Sequence, residues 1–338
     1  MPRFTSITLS LLLAAPIAAL AGDPAVLRTF KVGGEGRWDY VSLDPEGGRL
    51  YVPRSTHVMV LDLDGHLKGD LPGTAGVHGV AFSRELDRGW TSNGQADTVT
   101  IFKLSTLEVV KVVKTTGGNP DAILFEPITK RVFTFNGRGK NATVIDALTS
   151  EVVGTVPMGG KPEFAVCDEK GRVYVNNEDT SEILALNARS LKVEAAWSIK
   201  PLEEPSGLAI DLAHNRLYAV GSNHLAAVVD AGSGKVLATV PIGSGTDGIA
   251  FDPGTGCAYA SNGGDGTVTV IRPAASGRFE ASSVPTRRGA RTIVDNPRTH
   301  RLYLPTAEFA PVPKEAKPGT RPAMVEGSFQ VIEVGEVH

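Results

Sequence analysis

Short apolar runs separated by turn residues follow one another along most of the chain. The runs are four to eight residues long and rich in Val, Ile and aromatic residues, and they end at Gly, Pro, Asn or Asp. Such runs are typical of β-strands. No stretch with a helical period competes with them over a comparable length. The pattern therefore predicts an all-β protein.

The predicted strands repeat with a fixed period. Each unit has an aromatic residue in an Arg-x-Tyr-like segment, 39 to 44 residues from the next: Tyr51, Trp90, Phe133, Tyr174, Tyr218, Tyr259 and Tyr303. Each unit holds four predicted strands, which is typical of a β-propeller blade. One blade has two apolar faces, and only neighbouring blades can bury both. The period therefore predicts a seven-bladed β-propeller.

The two ends of the chain indicate how the ring closes. The last unit stops after its third strand, SFQVIEV, whereas residues 25–34, AVLRTFKVGG, match the fourth-strand segment KVLATVPIG at 235–243. We predict that this N-terminal strand completes the last blade and locks the ring. The alternative is a stray N-terminal strand outside the ring.

Several segments carry a family resemblance, among them GGNPDAILFEP, RVYVNN, TVTVIRP and KVLATVPIG. Over about residues 25–335 the chain resembles the YVTN-type β-propeller repeat family, whose members are called YncE-like. The resemblance implies an exported, ring-shaped protein, often without an assigned activity. Because propellers host many activities, it informs the fold more than the function.

Residues 1–21 differ from the rest of the chain. Arg3 is their only charge, residues 7–20 are mostly apolar, and Ala19-Leu20-Ala21 matches a small-x-small cleavage signal. This pattern predicts a signal peptide, with an uncleaved anchor as the alternative. We therefore expect residues 22–338 to form a single propeller domain in the periplasm or outside the cell. No later stretch is apolar enough to predict a membrane span.

Composition excludes some classes of function. Apolar residues make up 41% of the chain and charged residues 21%, with a net charge of −3. A nucleic-acid-binding protein normally has an excess of basic residues. This chain has a net negative charge, so its composition does not indicate nucleic-acid binding. The two cysteines, Cys167 and Cys257, do not form a disulfide framework, and two buried thiols are the simpler interpretation. We expect a monomer.

One polar position changes its identity in every repeat. It lies where the chain reaches the first strand of each unit, and its occupants, the rim residues, are Asp39, His78, Asp121, Glu163, Ser206, Asp247 and Arg291. The first strand of a propeller blade is the innermost. The rim residues should therefore surround one mouth of the central channel.

The turn between the second and third strands should lie just outside this rim. Its recurring Asn, at positions 93, 136, 177 and 262, indicates turn chemistry, because Asn tolerates left-handed backbone angles. The outer polar set comprises Arg54, His57, Arg138, Glu178, Asp179, His224 and Glu308. The candidate binding set combines members of both groups: Asp39, His78, Asp121, Glu163, Glu178, His224, Asp247, Arg291 and Glu308.

Four of these residues are candidate metal ligands. Asp39, His78, Asp121 and Glu163 come from adjacent blades, and their oxygen and imidazole atoms could hold a divalent cation. The same arc suits a cationic or polyol ligand, or a partner protein. The simpler alternative is a mouth that is polar only because water fills it. No cofactor is certain.

Residues 306–327 form an insertion in the last blade. Their sequence has four prolines and no strand pattern, which predicts a long loop beside the same mouth. Long loops on rigid scaffolds often carry function, although an idle loop is the alternative.

Two functions follow from these features. The first is an exported binding or interaction protein that uses the channel mouth for a small molecule or an envelope protein. The second is a metal-dependent, lactonase-like hydrolase, in which the cation activates water. There Glu163 and Glu178 would serve as ligands or general base, and His78 or His224 would carry protons. The sequence contains no GxSxG, Walker or HExxH motif.

Overall fold

The computed structural model describes residues 24–313, 320 and 322–336. The predicted signal peptide lies outside these residues and stays a prediction. Part of the predicted loop, residues 314–319 and 321, also lies outside them. Within the described ranges, no helix has the length and hydrophobicity needed to cross a bilayer.

The described chain is built almost entirely from strands. In chain order these are β1 (Pro24–Lys31), β2 (Ser42–Asp44), β3 (Arg49–Pro53), β4 (Ser55–Asp62), β5 (Leu67–Ser83), β6 (Arg88–Asn93), β7 (Thr98–Lys103), β8 (Val109–Lys114), β9 (Pro120–Glu126), β10 (Arg131–Asn136), β11 (Asn141–Asp146), β12 (Val152–Pro157), β13 (Pro162–Cys167), β14 (Arg172–Asn177), β15 (Glu182–Asn187), β16 (Lys192–Ser198), β17 (Pro205–Asp211), β18 (Arg216–Gly221), β19 (Leu225–Asp230), β20 (Val236–Pro241), β21 (Thr246–Asp252), β22 (Cys257–Asn262), β23 (Thr267–Pro273), β24 (Phe279–Pro285), β25 (Val294–Asn296), β26 (Arg301–Thr306) and β27 (Gln330–Glu336). A 3₁₀ turn, Ala275–Gly277, lies between β23 and β24.

The strands form antiparallel sheets of chain neighbours. Four sheets hold four consecutive strands each: β9–β12, β13–β16, β17–β20 and β21–β24. Strands β2–β8 form one seven-stranded sheet, because residues 67–72 of β5 pair with β4 while residues 77–83 pair with β6. The inner strands touch one another in the cyclic order β2, β5, β9, β13, β17, β21, β25 and back to β2. The sheets are therefore arranged around a common axis.

The N-terminal strand lies in the last sheet. Strand β1 pairs antiparallel with β27, which is followed by β26 and β25, and Phe30 lies opposite Val331. The strand ends at Lys31, whereas the sequence predicts a segment reaching residue 34. Val32 and Gly33 instead donate both of their backbone N–H groups to the carbonyl of Phe329. The first and last parts of the chain are thus hydrogen-bonded in one sheet.

The hydrophobic core lies between the sheets. The middle strands, such as β10 and β11, are buried over most of their length, while the outer strand β16 alternates between half-buried and exposed residues. Aromatic residues fill the gaps between neighbouring sheets: Trp90 stacks on Phe125 at 5.4 Å, and Tyr218 stacks on Phe251 at 5.5 Å. Both faces of each sheet are apolar, so a single sheet could not be stable alone.

The recurring Asn has a different role from the predicted one. None of the four adopts a positive φ, which occurs later in the turn, at Asp97, Lys140, Ser181 and Gly266. The Asn side chains act by hydrogen bonding instead. Asn93 Nδ2 donates to Thr98 Oγ1 and Thr100 Oγ1 at 3.1 and 2.9 Å. Asn177, whose repeat lacks these hydroxyls, donates to the carbonyl of Met158 at 2.8 Å.

Arg54, which the sequence assigned to the outer polar set of the mouth, has a structural role instead. Its side chain is fully buried and donates to the carbonyls of Gly33, Gly34 and Gly36 at 2.8–3.2 Å. The guanidinium carbon also lies 3.7 Å from the centre of the Phe329 ring. Arg54 therefore fastens the segment after β1 to the first and last sheets. Burial lowers the pKa of Arg54 to about 10, so the group is charged at neutral pH.

We expect Arg54→Ala to lower the free energy of unfolding by about 3 kcal/mol, because several carbonyls lose a charged donor and the aromatic contact is lost. Urea unfolding followed by circular dichroism would measure the change. The control is Arg298→Ala, since Arg298 is exposed and makes one long bond of 3.4 Å. Equal stability of the two variants would contradict this role of Arg54.

Candidate binding site at the channel mouth

The structure brings three of the predicted metal ligands together. Asp39 precedes β2, His78 lies in β5 and Asp121 lies in β9, so each comes from a different inner strand. His78 Nδ1 is 2.7 Å from Asp39 Oδ2 and 3.4 Å from Asp121 Oδ1. One ligand atom from each residue lies within 4.8 Å of the others. Because neighbouring inner strands touch, adjacent rim residues meet.

Gly94 leaves room for the imidazole of His78. A Cβ atom at position 94 would lie 2.6 Å from His78 Nε2 and 3.0 Å from Asn119 Oδ1. Any side chain there would displace His78 from the two carboxylates. The small residue in the second-to-third-strand turn thus helps to position the rim.

Glu163 is held by two groups that the sequence did not single out. Tyr40 donates its hydroxyl to Glu163 Oε1 at 3.1 Å, and Lys161 Nζ lies 3.3 Å from Glu163 Oε2. Lys161 also forms a close ion pair with Glu178. Glu163 and Glu178 therefore meet through one lysine. The available signal was that Lys161 lies two residues before the rim position of its own blade, separated from it by Pro162.

Burial and crowding shift the pKa values of this cluster. Burial lowers the pKa of His78, but the hydrogen bond to Asp39 and the charge of Asp121 outweigh it and raise that pKa to about 9. Burial also raises the pKa of Asp121 to about 7 and that of Glu163 to about 8, with further repulsion from neighbouring carboxylates. Near neutral pH these shifts favour a cationic imidazole at His78 and protonation of Asp121 and Glu163.

Two more rim residues, Asp247 in β21 and Arg291 before β25, form a close ion pair. Arg291 also donates to the carbonyl of Trp38 at 2.9 Å, and Thr292 donates its hydroxyl to the carbonyl of Asp39 at 3.0 Å. Burial lowers the pKa of Arg291, but the interactions with Asp247, Asp39 and Tyr40 together outweigh it and raise that pKa, so the arginine stays charged. The bonds to Trp38 and Asp39 join the segment before β25 to the segment before β2.

His224 and Glu308 occupy more exposed positions than the cluster. His224 is exposed in the turn between β18 and β19, has a φ of 62°, and its Nδ1 lies 3.4 Å from the carbonyl of Gly243. Glu308 is exposed, and its backbone N–H donates to Ser328 Oγ at 3.0 Å. Both belong to turns, and the described contacts join neither of them to the three-residue cluster.

Residues 308–310 and 323–325 form a paired arm within the long loop. Ala310 donates its backbone N–H to the carbonyl of Ala323 at 2.8 Å, and Val325 donates to the carbonyl of Glu308 at 2.9 Å. The Phe309 ring lies 6.0 Å from the Trp38 ring. The sequence showed no strand pattern here, because the two short pieces are separated by a Pro-rich stretch.

A cleft of about 990 Å³ lies between this arm and the rim. Its lining includes rim residues Asp247 and Arg291, the arm, and the segment before β25. The full set is Arg37, Trp38, Gly245, Thr246, Asp247, Gly263, Gly264, Arg287, Arg288, Gly289, Arg291, Ala307, Glu308, Phe309, Ala310, Pro311, Val312, Pro322 and Met324. The cleft is therefore mostly apolar, with several arginines converging on it.

Comparisons with known proteins identify the fold. No family model and no curated protein matches the chain. The structure is similar to U3-55K, with 10% identity, a TM-score of 0.72, and coverage of 92% of this chain and 98% of that one. It is also similar to the WD40 repeats of RRP9, with 10% identity, a TM-score of 0.73, and coverage of 93% and 99%.

A third similar structure is hydrazine synthase from Kuenenia stuttgartiensis, with 13% identity, a TM-score of 0.70, and coverage of 87% of this chain and 96% of that one. The chain is a β-propeller. At these identities the similarity shows the fold alone. Activity has to be argued from the mouth itself.

The shifted pKa values make stability dependent on pH. Glu163 has a folded pKa of about 8, above its ordinary 4.5, so the protonated form favours folding and stability falls as pH rises through this interval. In the Glu163→Gln variant the side chain stays neutral and can still accept the hydrogen bond from the Tyr40 hydroxyl. We therefore expect the stability of this variant to depend less on pH. It should unfold at a higher temperature than the unmodified protein at pH 8. Thermal unfolding between pH 5 and pH 8 would test this.

His78→Gln provides a contrast with a different pH window. The stabilising effect of His78 is full below its ordinary pKa of 6.5 and is lost as pH rises through about 9. This variant should therefore lose more stability at pH 6 than at pH 9. An unchanged slope in both variants would mean that the cluster does not titrate as described.

Proposed function

We propose that this chain is an exported, seven-bladed propeller that binds a small molecule at the channel mouth without transforming it. The observation that carries the proposal is the cleft of about 990 Å³ between rim and arm. Pockets for small molecules have this size, are mostly apolar, and contain a few convergent polar groups. The lining of this cleft has the same character.

The proposed count of seven blades is supported by dividing the seven-stranded sheet at β5. Gly73 and Gly76, both with positive φ, lie between its two halves. Each half then completes a four-stranded blade, and β1 completes the last one. We place the protein among YVTN-type propellers on its repeat sequence, and in the periplasm or outside the cell on its first 21 residues. Both assignments belong to the proposal.

Binding of a protein partner is the nearest alternative within this proposal. One similar structure is described by its WD40 repeats, and repeat propellers offer broad surfaces. A concave cleft lined by an inserted arm suits a small molecule better than a flat protein surface. An envelope protein that inserts a side chain into the cleft would use the same residues.

Ala310→Trp tests whether the cleft binds. Ala310 is half-buried and lines the cleft, so the larger ring should occupy the space. A thermal-shift screen of carboxylates, amines, sugars and amino acids would identify binders, and calorimetry would give their affinities. We expect binders to lose at least about tenfold in affinity in this variant, which corresponds to about 1.4 kcal/mol.

The control for this experiment is Ala275→Trp, at the exposed 3₁₀ turn outside the cleft. It should bind as the unmodified protein does. A compound that binds the Ala310→Trp variant as tightly as the unmodified protein must bind outside the cleft. A screen that finds no binder would contradict small-molecule binding.

A metal-dependent hydrolase is the second candidate, favoured by the Asp39–His78–Asp121 grouping. Mixed carboxylate and imidazole ligands suit a divalent cation, which would supply an activated water. The geometry sets one condition. A cation would have to displace the proton that His78 shares with both carboxylates, so binding should weaken as pH falls.

Metal analysis tests this candidate. Protein incubated with manganese, zinc or calcium and then dialysed should retain about one equivalent, and Asp121→Asn should lose it. The control Asp70→Asn alters an exposed carboxylate outside the grouping. Absence of retained metal and of any thermal shift would exclude this candidate.

A further inference from the structure

The cleft beside the arm has a charge opposite to that of the whole protein. Its lining contains four arginines, Arg37, Arg287, Arg288 and Arg291, against two acids, Asp247 and Glu308. The chain as a whole has a net charge of −3.

The arginines differ in how far they are already engaged. Arg291 is paired with Asp247 and the carbonyl of Trp38. Arg288 is exposed and uses only its Nε, which donates to the carbonyl of Gly264 at 3.1 Å. Arg37 and Arg287 are exposed, and among the described residues their guanidinium groups have no hydrogen bond or ion pair. Donors are therefore available at the opening of the cleft.

An apolar wall faces these donors. Trp38 is buried, and Phe309 and Met324 are half-buried beside it in the cleft lining. Val312 continues the wall and is 43% exposed. An aromatic or aliphatic ligand body would cover this exposed surface, which favours its binding.

Two glycines let segments of the cleft lining pack closely against each other. Gly289 has a φ of 85°, and a Cβ there would lie 2.4 Å from Phe309 Cε2. A Cβ at Gly263 would lie 2.7 Å from Arg291 Cβ. Gly289 thus lets the arm pack against the segment before β25, and Gly263 lets the turn between β22 and β23 pack against Arg291.

We infer that the cleft binds an organic anion that carries an apolar body. Its carboxylate, sulfonate or phosphate group would contact Arg287 and Arg288, and its body would lie against Phe309 and Met324. A cation would meet four arginines against two acids, of which Asp247 is already engaged with Arg291. This inference rests on the proposed function and deepens it. Because both arginines are exposed, water screens their charge and the expected preference is moderate.

Three matched probes test the charge preference: 2-naphthoate, the neutral 2-naphthamide and the cationic 2-naphthylmethylammonium. We expect calorimetry to show that 2-naphthoate binds about tenfold more tightly than the amide. One additional charge-assisted hydrogen bond is enough for an affinity difference of this size. The cation should bind least. Acetate, which has the head group without the body, should not bind detectably. Decanoate, which has an aliphatic body, should bind as an anion too.

Variants assign the preference to residues. Arg287→Gln combined with Arg288→Gln should reduce the anion preference to less than about threefold and leave amide binding unchanged. Phe309→Ala should weaken naphthoate and naphthamide equally, because it removes a contact to the body. The control Arg189→Gln changes an exposed arginine in the turn after β15 and should behave as the unmodified protein does.

The outcomes separate this inference from the proposed function. If the amide or the cation binds as tightly as naphthoate and Ala310→Trp abolishes that binding, the cleft binds small molecules but the anion class is wrong. If neither naphthoate nor decanoate binds, the inference is wrong, and the wider screen decides the proposed function by itself. If naphthoate binds the variant that carries both Arg287→Gln and Arg288→Gln as tightly as it binds the unmodified protein, the assignment to Arg287 and Arg288 is wrong.

Discussion

Closure of the ring is the constraint on which the rest of the structure depends. Strand β1 pairs with β27, and the buried Arg54 binds the carbonyls that follow β1. Both faces of every sheet are apolar, so an open ring would leave two of them in water. The rim needs closure as well. Arg291 in the last sheet reaches the carbonyl of Trp38 in the first, and the cleft wall contains residues from both.

Charged residues of the ring are paired, whereas the cleft lining has more arginines than acids. His78 lies between two carboxylates, Lys161 between two others, and Arg291 against Asp247. Buried charges need such partners, because burial without them is costly. Arg287 and Arg288 are exposed and escape this cost, so they can keep donors available. Rim and cleft are thus two chemically different regions of one mouth.

Much of this arrangement could be predicted from the repeat, and the remainder depends on side-chain reach. The period located the strands, the closing strand and the rim position, and the approach of Asp39, His78 and Asp121 follows from adjacent inner strands. The position of a residue within its repeat predicts which blade it belongs to and which end of that blade it lies at. It does not predict the side-chain rotamer. The repeat therefore missed Tyr40 and Lys161 at Glu163, and it assigned Arg54 to the outer polar set of the mouth, although the side chain is buried. The recurring Asn was correctly assigned to the turn, but for the wrong physical reason.

The sequence separation of the rim contacts has a consequence for how the protein is made. Arg291 and Trp38 are 253 residues apart, and Arg28 contacts Glu333 across 305 residues. Contacts between distant residues carry the largest loop-closure entropy and therefore form late in folding. A chain that is still being synthesised has no complete mouth, however many of its sheets have already formed. The mouth is complete only when the last strand joins the first.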